Sequence, residues 1–349
     1  MRAAVFYGIE DIRVEDIPLP KPGPHEALMK IGKVGICGTD LRIYANGHHR
    51  ISPGTRRVLG HELAGEIVEI GERVAGLSAG MRVGVAPNMG CGVCAQCVSG
   101  WTNLCANYTA FGISLDGGFA EYMLITEDAI RQGNVVAIPG DIPYHVAALA
   151  EPLSCCLNGQ EALHVGPDDV VLIVGAGPIG MMHVLLAKFS GARTVIVSEV
   201  SEERLEQARA FGADVLVNPA REDILAVVQK ASQGQGANAI IVAAPAPQAQ
   251  QQALELASAQ GRVNFFGGLP KDRPHVQINA NLVHYKQLIV TGTTGSNIRQ
   301  YRAAMNLVAA GRIRLDDLAS ARLPLDGILE GFARSRSGKE MRVLVELSS

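Results

Sequence analysis

The chain has 349 residues, a formal net charge of −3 and a hydrophobic fraction of 48%. This length suffices for about two domains with large cores. The small net charge and the absence of a long Lys/Arg run argue against nucleic acid or a membrane surface as the partner, so we expect a small-molecule substrate. Residues 1–10 lack an apolar run suited to a signal or membrane helix, and the seven cysteines suit a reducing compartment, which together predict a cytoplasmic protein.

The first part of the chain, to about Ile142, has the composition of a small all-β domain. Short β-like runs punctuated by Gly and Pro predict strands at Ala3–Tyr7, Ala27–Val34, Leu63–Glu69, Arg82–Ala86 and Ala120–Ile125. A barrel-like arrangement is expected for such strands.

From Asp169 onward the period changes, and continuous apolar strands alternate with helical stretches. The predicted strands are Val170–Val174, Thr194–Ser198, Val215–Val217, Ala239–Ala243, Arg262–Phe266 and Leu288–Thr291. Six such strands indicate a doubly wound parallel sheet. The Ala/Gln-rich segment from Ala246 to Ala257 suits an exposed helix. A helix from Ile298 to Gly311 is expected to leave this sheet, and a last strand, Met341–Leu347, to return to the first domain.

Four cysteines lie within fifteen residues, in the spacing C-x2-C-x2-C-x7-C. They are Cys91, Cys94, Cys97 and Cys105. Zinc accepts four thiolates in a tetrahedral site, and closed sites of this kind are structural. The neighbouring glycines supply the turns that a ligand loop needs, so this spacing predicts a structural zinc site in a lobe at about residues 88–106.

A glycine-rich turn follows the strand that ends at Val174. Its residues are Gly175, Ala176, Gly177, Pro178, Ile179 and Gly180, and an apolar helix comes next. Between a strand and a helix, such a turn predicts a pyrophosphate site at the helix N-terminus. Glu199 ends the next strand, within range of a ribose diol, and its charge favours NAD over NADP. Arg204 leaves room for NADP.

A second set of metal-ligand types is scattered among glycines and prolines. It comprises Cys37, His61, Glu62 and Glu151. Each residue alone is ambiguous, because a single buried cysteine or histidine is more often part of a core than a ligand. Successive side chains on a strand point to opposite faces, so His61 and Glu62 can face one ion only if the backbone after Gly60 is irregular.

The chain resembles the zinc-dependent medium-chain dehydrogenase/reductase family, and within it the sorbitol/polyol dehydrogenase-like branch. The motifs that carry the resemblance are GICGTD (35–40), GHE (60–62), the four-cysteine lobe, DGGFAEY (116–122), AEP (150–152), the loop from Gly175 and FGG (266–268). They extend over most of the chain. The resemblance implies a GroES-like catalytic domain, residues 1–145 completed by 295–349, and a Rossmann domain, residues 146–294.

The resemblance also implies two zinc ions with different roles. Cys37 and His61 would hold a catalytic zinc. Glu62 and Glu151 compete for the third protein position, with Glu62 expected as a direct ligand and Glu151 ligating directly or through water. Glu151 stands where other family members have a cysteine. One position must stay open for substrate oxygen.

By the same resemblance, the reaction is the oxidation of a secondary alcohol of a polyol or sugar alcohol to a ketose or ketone. Zinc acts as a Lewis acid, Thr39 takes up the hydroxyl proton, and hydride passes to NAD. The nicotinamide is expected near Phe266 and Gly267 and near Thr293 and Thr294, where parallel strands end.

One departure concerns the proton relay. Many relatives have a histidine at the position of Arg42, and a guanidinium cannot accept a proton. Water, His48 or His49 would then complete the relay. The basic stretch before His61, which comprises Arg42, His48, Arg50, Arg56 and Arg57, is either a solvated rim or a site for a phosphorylated or carboxylated substrate.

Several alternatives stay open on the sequence alone. L-Threonine dehydrogenase and galactitol-phosphate dehydrogenase share parts of the same motifs, and a zinc- and nucleotide-binding redox sensor without turnover is an alternative of another class. Residues proposed to set the substrate are Tyr44, Phe111, Glu121 and Asn297. A homodimer or homotetramer is expected, with the strand at 288–291 extending a sheet across a two-fold axis.

Overall fold

The computed structural model describes residues 1–347 and shows an α/β chain. Its strands are β1 (Arg2–Gly8), β2 (Asp11–Asp16), β3 (Ala27–Gly35), β4 (Arg57–Val58), β5 (Glu62–Ile70), β6 (Arg82–Val85), β7 (Asn88–Met89), β8 (Thr109–Ala110), β9 (Tyr122–Ile125), β10 (Val135–Ala137), β11 (Val170–Val174), β12 (Thr194–Ser198), β13 (Val215–Val217), β14 (Ala237–Val242), β15 (Ala257–Asn264), β16 (Ile289–Thr291), β17 (Ala321–Pro324) and β18 (Val343–Glu346).

The α-helices are α1 (Gly38–Asn46), α2 (Ala95–Val98), α3 (Glu127–Arg131), α4 (Tyr144–Ala147), α5 (Ala150–Glu161), α6 (Pro178–Phe189), α7 (Glu202–Ala210), α8 (Ile224–Ala231), α9 (Pro247–Leu256), α10 (Ala280–Lys286), α11 (Ile298–Ala309) and α12 (Ile328–Ser337). Short 3-10 turns lie at Thr102–Leu104, Asp316–Leu318 and Leu325–Gly327. None of the helices described is long and apolar enough to cross a membrane.

The chain divides into two compact units. One comprises Met1–Ser154 and the chain from Ser296 onward, and the other is Cys155–Gly295. The division falls inside α5, whereas the sequence analysis set it at residue 145. Because α5 is one continuous helix, no linker composition marks this boundary.

The first unit contains a seven-stranded sheet in the order β10-β6-β5-β3-β18-β17, with β9 also paired to β3. The C-terminal strand β18 runs antiparallel to β3, and Leu344 is opposite Gly35. A separate sheet, β2-β1-β4, packs into the same apolar core, which includes Val34, Leu63, Phe119 and Phe332. Strand β3 therefore pairs with β5 on one side and with the C-terminal strand β18 on the other.

The second unit is built on a parallel sheet in the order β13-β12-β11-β14-β15-β16. Strands β11 and β14 are buried nearly along their whole length, as expected for a sheet covered on both faces. The order reverses between β11 and β14, which makes the carboxyl ends of these strands the switch point where α/β sheets bind ligands. The predicted doubly wound sheet of six strands is confirmed.

Two local predictions for the second unit are wrong. Strand β15 spans Ala257–Asn264 rather than Arg262–Phe266, because Ala257 already pairs with Ala237 of β14 and, after a register shift, Arg262 pairs with Ala239. Helix α9 is not exposed throughout: Gln250, Ala253 and Leu254 are each at most 4% exposed and form its buried face. Ala/Gln-rich composition alone did not reveal that face.

Candidate active site

Three of the predicted ligands meet inside the first unit. One ligand atom each from Cys37, His61 and Glu62 lies within 4.8 Å of the other two. His61 is 7% exposed, Glu62 is fully buried, and Cys37 is half-buried. Thiol, imidazole and carboxylate are the three donor types that zinc accepts in proteins.

The buried carboxylate of Asp40 organises this cluster. Its Oδ2 accepts a hydrogen bond from the Cys37 backbone N–H at 2.8 Å, which fixes the start of α1, and its Oδ1 accepts one from Gly60 N–H at 3.2 Å. Oδ1 also lies 3.5 Å from Nδ1 of His61. With Nδ1 turned toward a carboxylate, Nε2 is the nitrogen left for an ion. The sequence analysis gave Asp40 no role.

The environment of His61 favours positive charge. Burial by itself lowers its pKa, but the charges of Asp40 and Cys37 outweigh burial and raise this pKa well above 6.5. The same negative groups that hold a proton on the imidazole would stabilise a metal cation in its place. The site therefore has the electrostatics of a cation site.

The turn before β5 allows adjacent side chains to share the cluster. Gly60 has a φ of +88°, and β5 begins only at Glu62, so His61 and Glu62 do not alternate as on a regular strand. A Cβ on Gly35, opposite Glu62 in β3, would lie 2.3 Å from Glu62 Oε2. Glycine at position 35 thus makes room for the carboxylate.

Arg342, just before β18, contacts the same carboxylate. Its Nη1 lies 3.3 Å from Glu62 Oε1 and donates a hydrogen bond to the carbonyl of Ile36 at 3.0 Å. Both side chains of the pair are at most 6% exposed. A buried guanidinium therefore lies beside the buried carboxylate and offers it a compensating positive charge.

The donors of this cluster are not satisfied by the protein. Both carboxylate oxygens of Glu62 are buried without a hydrogen-bond partner among the described residues, because the approach of Arg342 lacks hydrogen-bond geometry. Orphaned buried oxygens cost free energy unless an ion or water completes them. The residues therefore fit a zinc ion.

Glu151 does not join this cluster of donors, although it belongs to the same unit. It is 6% exposed near the start of α5, and its carbonyl accepts a hydrogen bond from Ser154 Oγ at 2.6 Å. Burial raises the pKa of the Tyr301 hydroxyl above its ordinary range, and the charge of Glu151 adds to this effect. Direct ligation by Glu151 stays a prediction.

Thr39 lies in the first turn of α1, two residues after Cys37. Its Oγ1 accepts a hydrogen bond from Nη2 of Arg42 at 2.9 Å. The hydroxyl keeps its proton and a second lone pair for other partners.

The four cysteines of the lobe also come together. Ligand atoms of Cys91, Cys94, Cys97 and Cys105 all lie within 4.8 Å of one another, and none is in a disulfide. Backbone N–H groups of Val93 and Cys94 lower the pKa of Cys91 to about 6, whereas burial raises the pKa of Cys97 to about 12. These four thiols fit a closed tetrahedral zinc site.

In the second unit, the glycine turn adopts the conformation expected of a phosphate loop. Gly175 has a φ of +106°, Gly177 caps α6, and Pro178 is its first residue. A Cβ on Gly180 would lie 1.9 Å from the carbonyl oxygen of Gly175, so only glycine permits this approach of helix and strand. The helix N-terminus and its N–H groups can receive an anion.

Glu199 follows β12 at the same edge of the sheet. Its Oε2 accepts a hydrogen bond from Ala176 N–H at 2.9 Å, and its Oε1 accepts one from Val200 N–H at 2.8 Å. Nη1 of Arg204 lies 4.0 Å from Oε2. The same nitrogen lies 3.9 Å from the place where a Cβ of Gly177 would be. A carboxylate and a guanidinium therefore flank the loop together.

The remaining predicted cofactor residues follow β15 and β16 in the same unit. Phe266 packs edge-on against His183 at 4.7 Å, and the buried Asn264 donates a hydrogen bond to Thr293 Oγ1 at 3.1 Å. Gly267 approaches the carbonyl of Ala243, where a Cβ would lie 2.6 Å away. Thr294, one residue after Thr293, follows the end of β16 as well.

The four residues proposed to set the substrate each have contacts within the protein. Phe111 is 1% exposed in the core of the first unit, and Asn297 caps α11 through Gln300 N–H at 2.9 Å. Glu121 accepts a hydrogen bond from Arg2 N–H at 2.8 Å. Tyr44 packs edge-on against a phenylalanine of α12 and donates a hydrogen bond to a backbone carbonyl at 3.2 Å. These contacts position the four side chains, and their role in substrate selection stays a prediction.

The fold and the two sets of ligands define an alcohol dehydrogenase-type oxidoreductase, and comparisons with known families agree. Residues 23–139 match the alcohol dehydrogenase GroES-like domain, and residues 178–310 match the zinc-binding dehydrogenase domain. L-Threonine 3-dehydrogenase from Pyrococcus abyssi is 36% identical over 354 aligned residues, which cover 99% of this chain and 97% of that protein. The chain belongs to the zinc-dependent medium-chain dehydrogenase/reductase family.

Solved structures extend the comparison. A protein from Sinorhizobium meliloti, described as a zinc-binding dehydrogenase and bound to NADP, is 34% identical with a TM-score of 0.91, covering 99% of this chain and 98% of its own. Galactitol-1-phosphate dehydrogenase from Escherichia coli is 27% identical with a TM-score of 0.88, covering 99% and 100%. The predicted GroES-like and Rossmann fold is therefore confirmed, as is the enzyme class.

Proposed function

We propose that this enzyme oxidises the secondary alcohol of a small hydroxy compound, and that L-threonine 3-dehydrogenase chemistry is the first candidate. The proposal is carried by the buried cluster of Cys37, His61 and Glu62 with its orphaned donor atoms, in a chain that aligns along nearly its whole length with an L-threonine 3-dehydrogenase. This ranking reverses that of the sequence analysis, which favoured a polyol.

Cys37, His61 and Glu62 would hold the catalytic zinc, and the four cysteines of the lobe the structural one. Zinc, when bound, supplies a Lewis acid that lowers the pKa of an alcohol hydroxyl. Thr39 accepts the hydroxyl proton on its free lone pair and passes its own proton to water or a neighbouring acceptor. Asp40 orients the His61 ring, and Arg342 places a positive charge beside the Glu62 carboxylate. Glu151 would act on the ion through water.

A nicotinamide dinucleotide would occupy the loop at Gly175–Gly180. Glu199 favours NAD because its carboxylate repels a 2′-phosphate, but Arg204 offers a cation beside the same loop. A relative of the same length is bound to NADP. We therefore propose NAD as the preferred cofactor and NADP as a measurable second.

Polyol or polyol-phosphate oxidation is the second candidate. The structural likeness to galactitol-1-phosphate dehydrogenase supports it. We also propose a homodimer or homotetramer, because β16 is an edge strand of its sheet and Ile289 on it is 57% exposed. The proposed cytoplasmic location rests on the seven cysteines, which suit a reducing compartment.

The test is a substrate panel on zinc-loaded enzyme. L-Threonine, galactitol 1-phosphate, galactitol and 2,3-butanediol are each supplied with NAD or NADP, and reduced cofactor is followed by absorbance. We expect the highest kcat/KM for L-threonine with NAD. A highest value for the polyol phosphate would support the second candidate, and no oxidation of any secondary alcohol by enzyme with both zinc sites filled would overturn the proposal.

A further inference from the structure

The basic stretch before His61 separates into residues with different partners. Arg50 donates hydrogen bonds to the carbonyls of Tyr108 and Ala106 at 3.1 and 3.0 Å, and its guanidinium lies 4.1 Å from the centre of the Tyr108 ring. Arg57 pairs with Asp116 at 2.9 Å. Both arginines therefore tie chain segments together, and their charges are committed to the fold.

Two further members of the stretch also lie outside the cluster of ligands. Nδ1 of His48 accepts a hydrogen bond from Arg50 N–H at 3.2 Å, within its own loop. Arg56 is exposed, and the group it influences is the phenol of Tyr7, whose pKa it lowers slightly against the stronger opposing effect of Glu15. Neither of these side chains contacts Thr39.

Arg42 differs from the other four. It lies one turn after Thr39 on α1, and its Nη2 donates to Thr39 Oγ1 at 2.9 Å. Its side chain is exposed, and within residues 1–347 no carboxylate lies at ion-pair distance from it. The guanidinium is thus held beside the proposed proton acceptor with its positive charge uncompensated.

A guanidinium in this position has unused donors. Arginine has five N–H groups in a planar fork, and the bond to Thr39 occupies one of them. The others match the paired oxygens of a carboxylate or a phosphate, to which arginine binds in a bidentate manner. Because the fixed charge cannot take part in proton relay, recognition of an anion is the chemistry left to it.

The hydrogen bond to Thr39 also limits where such an anion can be. If Thr39 accepts the proton of the reacting hydroxyl, the alcohol oxygen lies about 2.7 Å from Thr39 Oγ1. The guanidinium is one further hydrogen bond away, at 2.9 Å. The anionic group must therefore be separated from the alcohol carbon by only a few bonds, as in a 2-amino-3-hydroxy acid.

We propose that Arg42 is a specificity residue that binds the anionic group of the substrate and so selects hydroxy compounds carrying a carboxylate or phosphate close to the reacting alcohol. The proposal rests on the proposed alcohol oxidation and adds the class of its substrate. It assigns to Arg42 the function that distinguishes this chain from relatives with histidine there.

The experiment compares wild-type enzyme with Arg42→Gln and Arg42→Lys on an anionic and a neutral substrate. The readout is the ratio of kcat/KM for L-threonine, or for galactitol 1-phosphate, to kcat/KM for 2,3-butanediol. We expect Arg42→Gln to lower this ratio about tenfold or more, as loss of a charged hydrogen bond does, and Arg42→Lys to restore part of it. Comparison of the two anionic substrates identifies the bound group: a larger fall for L-threonine indicates a carboxylate, and a larger fall for galactitol 1-phosphate indicates a phosphate.

Arg56→Gln is the matched control, because it removes the same charge from the same stretch without touching Thr39, and it should leave the ratio unchanged. Binding of L-threonine and galactitol 1-phosphate to zinc-loaded protein, measured by calorimetry, separates this proposal from the proposed function. If Arg42→Gln bound the anionic compounds more weakly but the wild type oxidised none of them, the binding role of Arg42 would be supported and the proposed oxidation would be wrong. An unchanged ratio, or equal loss in Arg56→Gln, would overturn the role of Arg42.

Discussion

The two groups of metal ligands in this protein differ in composition and surroundings. The lobe has four thiols from a short segment, three of them half-buried, and they satisfy a tetrahedral ion completely. The buried cluster of Cys37, His61 and Glu62 has three donors of three kinds. Asp40 lies beside His61, and Arg342 lies beside Glu62. Four protein ligands fill the coordination sphere of zinc, as in structural sites. Three protein ligands, oriented by neighbouring side chains, leave one coordination position for a substrate.

Replacing His61 tests the buried cluster and has the largest expected effect. In His61→Ala, kcat/KM should fall at least about 10³-fold, because the ion contributes several kcal/mol to the transition state. Metal analysis should find about one zinc fewer per chain than in the wild type, with a small change in Tm. His275→Ala, at an exposed histidine, is the control. Full activity in His61→Ala would contradict the assignment of this cluster.

Replacing Cys97 should lower stability and leave turnover largely intact, the opposite of the result expected for His61→Ala. In Cys97→Ser, loss of the lobe ion removes folding free energy, and Tm should fall by roughly 10 °C, while the folded fraction keeps most of its turnover. Differential scanning calorimetry and activity per folded molecule measure the two quantities. Cys155→Ser, outside both clusters, is the matched control. If turnover fell while Tm did not, the contrast between the clusters would be wrong.

The two glutamates provide the finest comparison. Glu62→Gln should weaken zinc binding about 10- to 100-fold, and it also leaves Arg342 without its buried carboxylate. Glu151→Gln should weaken it less than about threefold, because Glu151 is outside the cluster of donors. Competition with a chromogenic chelator gives both affinities. Equal losses would make Glu151 a direct ligand.

The contrast also explains what the sequence could predict. The four cysteines are adjacent in the chain, so their spacing alone indicated the lobe. Cys37 precedes α1, whereas His61 directly precedes β5 and Glu62 begins it. Because these segments are separate in the chain, only the family resemblance predicted that the three residues share one site. Sequence reasoning missed Asp40, although its position three residues after Cys37 is a capping-box spacing that could have revealed it.

Arg342 carried no such signal. It reaches Glu62 because β18 pairs with β3, and this pairing depends on the register of two strands at opposite ends of the chain. Strands of the second unit were easier to place, since Val170–Val174 is uniformly apolar, Thr194–Ser198 has an apolar centre, and the two pair along their whole length. The first part of β15 was missed because its small and polar residues do not form the apolar run by which the other strands were recognised.

The position of Arg342 has a consequence for biosynthesis. A ribosome releases the N-terminal residues first, so a nascent chain contains Cys37, His61 and Glu62 long before the arginine that neutralises the carboxylate is translated. Until β18 docks, Glu62 lacks its counter-ion and β3 has an unpaired edge. Completion of the polypeptide and maturation of the zinc site are therefore coupled, and a premature stop before Arg342 would yield a chain unable to finish either.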